Sequence, residues 1–309
     1  MSETRRSAIK KGLGAAAAIA AAPAIAAASA LDERPSAFDD AAVTGASTPD
    51  AASATHVRAG YKQSVARWCF GNVPLPQLCV EAKRIGLDGI DLLSESEWDV
   101  PKQHGLVCTV ANGPGPIADG WNRPDLHDRL VAESERLLPL VARAGIAQMI
   151  VFSGNRRGMS DGEGIANCIT GLKRILPTAE RLGVTLVMEM LNSKVDHRDY
   201  HADRTEWAVQ VARGLGSERF KLLYDIYHMQ IMEGDVVRTI ERYAPFIGHY
   251  HTAGNPGRHE LDETQELYYP RIARAIAGTG FSGFVAHEFM PTADPFGKLA
   301  AAQRIFAVG

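Results

Sequence analysis

The sequence predicts a single (β/α)8 TIM barrel over residues 61–309, on three observations. Short β-branched or apolar runs alternate with longer amphipathic stretches, the pattern of parallel strands joined by crossover helices. Eight such runs fall within about 250 residues, the usual size of this barrel. No G-x-G-x-x-G follows the first run, which argues against an open doubly wound sheet and a dinucleotide site.

Taken in order, the chain opens with a segment that does not belong to the barrel. Arg5 and Arg6 form a twin-arginine pair, Lys10 and Lys11 follow, and Gly12 to Ala30 is almost all Ala, Gly and Ile. Ala28-Ser29-Ala30 is the small-x-small pattern that a signal peptidase accepts, so residues 1–30 read as a twin-arginine-type signal peptide cleaved before Leu31. The run is weakly hydrophobic and carries Pro23 in its middle, which speaks against a stable membrane anchor. The expected location is the periplasm. Residues 31–60, rich in Ala, Ser, Thr, Asp and Pro without periodicity, read as a flexible linker.

The eight strand-like runs are Val65 to Phe70, Gly89 to Leu93, Val107 to Asn112, Gln148 to Ser153, Thr185 to Leu191, Lys221 to Asp225, Ile247 to Thr252 and Phe284 to Phe289. Helical patterns between them include Leu75 to Ile85, Leu126 to Ala144, Gly164 to Leu182, Thr205 to Leu215, Val236 to Tyr243 and Tyr268 to Ala277. Gly86, Gly145, Gly183 and Gly280 stand just before strands, where a left-handed helix cap costs a glycine least.

With 33 basic against 36 acidic side chains, the net charge of −3 gives no broad attraction to nucleic acid or anionic lipid, and a small-molecule partner is favoured. A homo-oligomer is compatible with this composition. Cys69, Cys79, Cys108 and Cys168 are widely spaced, without a C-x-x-C pair, and read as buried free thiols, with one disulfide open to them in an oxidising compartment.

Barrel strands are covered on both faces, so a charge inside one needs a partner or a task. Glu189 in Val-Met-Glu-Met-Leu, Asp225 in Leu-Tyr-Asp-Ile-Tyr, His251 in His-Tyr-His-Thr and Glu288 in Ala-His-Glu-Phe each interrupt an apolar run near its C-terminal end. That end is where barrel enzymes keep their active sites. One per strand from the fifth to the eighth, the four are expected to converge. Three crowded carboxylates repel unless a cation compensates, and a thiol-free set of carboxylates and imidazole points to Mn²⁺ or Mg²⁺. His249 shares the strand face of His251, whereas Tyr250 and His287 point the other way by parity. Trp68 and Trp121 are candidates to wall the pocket.

From Tyr61 to the C-terminus the chain resembles the xylose isomerase-like superfamily, and within it the hydroxypyruvate isomerase family. The resemblance rests on V-M-E-M-L-N around Glu189, Y-D-I-Y-H-M-Q with Asp225 and His228, I-G-H-Y-H-T-A-G-N-P-G-R-H-E from Ile247 to Glu260, and H-E-F at Glu288. It implies an aldose-ketose type isomerase that converts hydroxypyruvate to tartronate semialdehyde through an enediolate. Glu189 and Glu288 would be the catalytic base and acid, with Glu189, Asp225, His251 and Glu288 around the metal and His228 and Arg258 facing the substrate. Arg258 suits a carboxylate-bearing substrate, which a guanidinium grips with two parallel hydrogen bonds; its bland alternative is a loop ion pair with Glu260 or Asp262. One position departs from the resemblance: typical hydroxypyruvate isomerases carry glutamine where His251 stands, while ketose epimerases of the superfamily carry a metal-binding histidine. A neutral ketose, a hydroxy-keto acid, an abasic-site nuclease activity and a non-catalytic periplasmic binding barrel are the readings to separate, with the nuclease disfavoured by the charge.

Overall fold

The computed structural model describes residues 60–307. The expected signal peptide and residues 31–59 of the expected linker lie outside the described residues. The chain runs β1 (Lys62–Ala66), α1 (Leu75–Ile85), β2 (Gly89–Asp91), α2 (Val100–Gln103), β3 (Val107–Cys108), β4 (Val110–Ala111), α3 (His127–Arg143), β5 (Gln148–Val151), α4 (Asp161–Leu172) and α5 (Leu176–Leu182). It continues with β6 (Thr185–Glu189), α6 (Thr205–Leu215), β7 (Phe220–Asp225), α7 (Ile226–Met232), α8 (Val236–Tyr243), β8 (Ile247–Thr252), α9 (Tyr269–Gly278), β9 (Phe284–His287) and α10 (Pro295–Ala307).

All strand pairs are parallel, in the order β3-β2-β1-β9-β8-β7-β6-β5-β4. β3 and β4 are two pieces of one segment, the first paired with β2 and the second with β5, so the ring closes through them as the predicted eight-stave barrel. Around it, helices bury one stripe each. In α3, Leu130, Leu137, Leu138 and Val141 recur at helical spacing and are all buried. Inside the ring, Val110, Ile150, Val187 and Leu223 form a separate apolar cluster that fills one side of the barrel.

A register shift decides which side chains enter the barrel from β8. Leu222 pairs with Ile247, but Leu223 pairs with His249, leaving Gly248 as an extra residue. The extra residue flips the alternation, so that His249 and His251 face inward with Leu223 and Asp225. Glycine fits there because a Cβ at position 248 would lie 2.7 Å from Lys221 Cβ.

The structure also departs from the predicted elements elsewhere. The first strand starts and ends earlier than Val65 to Phe70, and Arg67–Phe70 forms a 3-10 turn that carries Trp68 over the barrel mouth. The helix expected from Gly164 to Leu182 is split into α4 and α5, since Pro177 in the first turn of α5 has no N–H and its ring clashes with the carbonyl four residues back. The short α7 directly follows β7, capped by Asp225. All four cysteines are free, and Cys79, Cys108 and Cys168 are buried. Among the described residues, no helix is long and apolar enough to cross a membrane.

Candidate active site

Strand ends position the site. Glu189 closes β6, Asp225 closes β7, His251 lies in β8 and Glu288 directly follows β9. All four are buried, and one donor atom from each lies within 4.8 Å of the others. His251 Nδ1 is the hub, 3.1 Å from Glu189 Oε1, 3.1 Å from Glu288 Oε2 and 3.9 Å from Asp225 Oδ2. Asp225 is oriented by its place as the cap of α7, where Oδ1 accepts the His228 backbone N–H at 3.1 Å and Oδ2 is left toward the cluster.

Around this centre stand groups that hold Glu288. The Trp68 indole N–H donates to Oε1 at 2.7 Å, and Arg258 Nη2 donates to Oε2 at 2.5 Å while standing 3.6 Å from Asp225 Oδ2. The Arg258 guanidinium lies 4.9 Å from the Trp68 ring and 5.4 Å from the Tyr227 ring, a cation–π sandwich. Its backbone is left-handed, with φ of 58°. A non-glycine residue in that region costs of order 1 kcal/mol or more and persists where the surroundings hold it. The loop ion pair considered for Arg258 does not form, because Glu260 and Asp262 instead pair with Lys298 at 3.1 and 2.8 Å.

A cavity of about 320 Å³ opens above the cluster, lined by Glu189, Arg258, Glu288 and Trp68 together with apolar residues that include Leu92, Ile150, Phe152 and Leu191. Asp225 and His251 lie beneath this lining, and two residues expected to face the pocket fall outside it. His228 is fully buried behind Asp225, with Nε2 3.7 Å from Asp225 Oδ2 and Nδ1 2.6 Å from the Asn192 amide nitrogen, because α7 turns its ring away from the cavity. Trp121 is buried against the His127 ring instead of walling the pocket. As parity predicts, His287 bonds outward to Gln63 and Thr252, and Tyr250 packs edge-on to Phe281.

Sequence reasoning missed Asp91, at the end of β2. Its Oδ2 lies 2.8 Å from His251 Nε2, and its Oδ1 accepts the Thr109 hydroxyl. His249 Nε2 is 3.3 Å from the same Oδ2, and its Nδ1 is 3.0 Å from Gln148 Oε1. The signal was present in Gly89-Ile90-Asp91-Leu92-Leu93, a charge within an apolar run, the same pattern that picked out the other four.

Burial and mutual repulsion drive the electrostatics. Burial, reinforced by the Glu288 charge, pushes Asp225 well above the usual carboxylate range, and burial likewise raises Glu189. Burial also opposes the charge of Glu288, but His251 and Arg258 outweigh it and hold that carboxyl well below its ordinary value. For His251 burial opposes the proton, yet Glu288 and Asp91 more than compensate and raise it. Three carboxylates and an imidazole at these separations form a donor set that could hold a divalent cation.

Fold and site together define a closed (β/α)8 barrel with an acidic and imidazole cluster at the C-terminal strand ends. The family model described as xylose isomerase-like TIM barrel matches residues 79–305, and the chain belongs to that family. It is 29% identical over 248 residues to the hydroxypyruvate isomerase of Escherichia coli K12, which covers 72% of this chain and 90% of that protein. It is 35% identical over 111 residues to the 2-oxo-tetronate isomerase of Cupriavidus necator, covering 36% of this chain and 42% of that protein. The chain thus spans about two fifths of the length of several curated relatives that it matches. Among solved structures, an AP endonuclease, family 2, from Brucella melitensis superposes with a TM-score of 0.69 at 23% identity, covering 79% of this chain and 98% of that one, a likeness of fold.

Proposed function

We propose that this protein is an isomerase that shifts a carbonyl between adjacent carbons of a small hydroxy-keto acid, with conversion of hydroxypyruvate to tartronate semialdehyde as the representative reaction. The observation that carries the reading is that Glu189 and Glu288, from different strands, both line one small cavity and both stand 3.1 Å from His251 Nδ1. The names of the E. coli and C. necator relatives support the same class.

The reaction removes a proton from one carbon and returns a proton to its neighbour, through an enediolate whose charge must be held. Glu189 and Glu288 divide these transfers, one as base and the other as acid. Trp68 and Arg258 fix the Glu288 carboxyl by its two oxygens and so set the direction from which it reaches the substrate. Arg258 lines the cavity beside Glu288 and supplies the positive charge that an acid group of the substrate would meet there. Apolar lining excludes water from the reacting carbons. Glu189, Asp225, His251 and Glu288 would hold Mn²⁺ or Mg²⁺, which when bound supplies Lewis-acid stabilisation of the developing negative charge. His228, which lies outside the cavity lining, steadies Asp225 through its backbone N–H.

A neutral ketose is the second reading, favoured by His251 at the centre of the cluster, where the resembling acid isomerases carry glutamine. Turnover of purified protein on hydroxypyruvate against tagatose-like and fructose-like ketoses separates the two. Glu189→Gln and Glu288→Gln should each lower turnover by about 10²- to 10⁴-fold with the fold retained; wild-type rates in either variant would remove it from the proton transfers. Arg5-Arg6 and Ala28-Ser29-Ala30 support export by the twin-arginine route to the periplasm. Mass spectrometry of the periplasmic fraction should find a mature chain beginning at Leu31, and an intact Met1 in the cytoplasm would overturn the export reading.

A further inference from the structure

His251 is the one member of the cluster whose usefulness to a cation depends on which nitrogen carries its proton. An imidazole offers a lone pair only from the nitrogen that lacks hydrogen, and the partner of the other nitrogen sets that choice. Here the other nitrogen, Nε2, lies 2.8 Å from Asp91 Oδ2. A carboxylate oxygen at that distance accepts, so the hydrogen between the pair belongs to Nε2.

Asp91 is itself firmly placed. It is buried at the end of β2, on a stave separated from β8 by β1 and β9, so its contact with His251 crosses the barrel interior. The Thr109 hydroxyl donates to its Oδ1, leaving Oδ2 for the histidine. The His249 ring stands edge-on to His251 at 5.3 Å and 84°, and its Nδ1 is anchored 3.0 Å from Gln148 Oε1. The Gln148 amide is in turn oriented by donating to the Gly248 carbonyl at 2.8 Å. The His251 ring is therefore fixed in direction by Asp91 at one nitrogen and packed by His249 on its flank.

We propose that Asp91 is a positioning residue that fixes His251 as its Nε2–H tautomer and so turns the Nδ1 lone pair toward Glu189, Asp225 and Glu288. This inference rests on the reading of those residues as a cation-holding centre. Outer carboxylates of this kind, hydrogen-bonded to a ligating histidine, orient the ring and raise its basicity. Asp91 needs no contact with substrate to do so.

The test uses the full chain, Mn²⁺ titration calorimetry and histidine ¹⁵N spectra of the Mg²⁺-loaded protein, with the His251 signal identified by its loss in His251→Gln. Wild type should show His251 protonated at Nε2. Asp91→Leu, which removes the acceptor, should lose about 10- to 100-fold in Mn²⁺ affinity and lose the Nε2–H signal. Asp91→Asn, which keeps an acceptor oxygen, should fall only about fivefold and retain the tautomer, and it serves as the second arm if the leucine variant does not fold. A wild-type His251 protonated at Nδ1, unchanged affinity in Asp91→Leu, or an equal loss in Asp91→Asn and Asp91→Leu would overturn the proposal while leaving the cation centre standing. A wild type that binds neither ion would instead bring down the centre itself.

Discussion

Glu288 owes its setting to two neighbours that differ in what they can lose. Trp68 contributes an indole N–H to Oε1 at 2.7 Å and a ring face to Arg258 at 4.9 Å, and Trp68→Phe removes only the first. A hydrogen bond to a charged group is worth about 1.5–3 kcal/mol, so turnover should fall roughly 10- to 100-fold. The melting temperature should stay near that of wild type; an undiminished rate would show that the indole N–H does not set the carboxyl. Glu189, Asp225, His251 and Glu288 were legible because each puts charge into a run that burial should have kept apolar. Asp91 obeys the same logic within Gly89 to Leu93, but it stands on a stave apart from the other four and reaches His251 only across the closed ring, which strand order alone does not reveal. Trp68 was legible as an aromatic near the pocket, but its bond to Glu288 depends on a 3-10 turn after β1, which strand periodicity does not encode.

At the level of elements, the loops after β8 and β9 are clasped together by Glu260. Its carboxylate accepts the Thr292 backbone N–H at 3.1 Å and the Thr292 hydroxyl at 2.6 Å, and lies 3.1 Å from Lys298 Nζ. Burial opposes its charge, but these donors outweigh burial and bring it down to about 2. A lowered carboxyl binds its proton less readily in the folded than in the unfolded state, whose ordinary value is about 4.3. Its stabilisation is thus complete above that ordinary value and disappears as pH falls from about 4 toward 2. Glu260→Gln should lower stability at pH 7 and flatten the acid limb of the stability profile, measured by urea unfolding across pH; an unaltered acid limb would mean the clasp is not ionic. Most strands and helices were legible from alternation and glycine stops. What was not legible reflects local chemistry: the proline that divides α4 from α5, and the extra Gly248 that sets the facing of β8.

For the molecule as a whole, the cluster joins staves β6, β7, β8 and β9, and Asp91 adds β2 from across the ring. A cation bound there ties these staves together and is lost on unfolding, so it should act on global stability as well as on rate. At about one hundred times its dissociation constant a ligand contributes about 2.7 kcal/mol. In a barrel of this size that corresponds to a rise of roughly 5–10 °C in Tm. Chelator should remove this increment together with turnover, and Mn²⁺ or Mg²⁺ should restore both; a melting curve insensitive to chelator and added ion would count against the cation centre. The closed barrel was the most legible feature of the chain, since eight alternations leave few other ways to bury every strand.

The apolar cluster of Val110, Ile150, Val187 and Leu223 gives the arrangement a directionality. Val187 and Leu223 sit two residues before Glu189 and Asp225 on their strands, beneath the carboxylates. On these staves the barrel is consequently closed and oily beneath the cavity. Whatever settles deepest departs last, so a cation held by these carboxylates would be corked in place by a ligand seated above, and its exchange would wait for the cavity to empty.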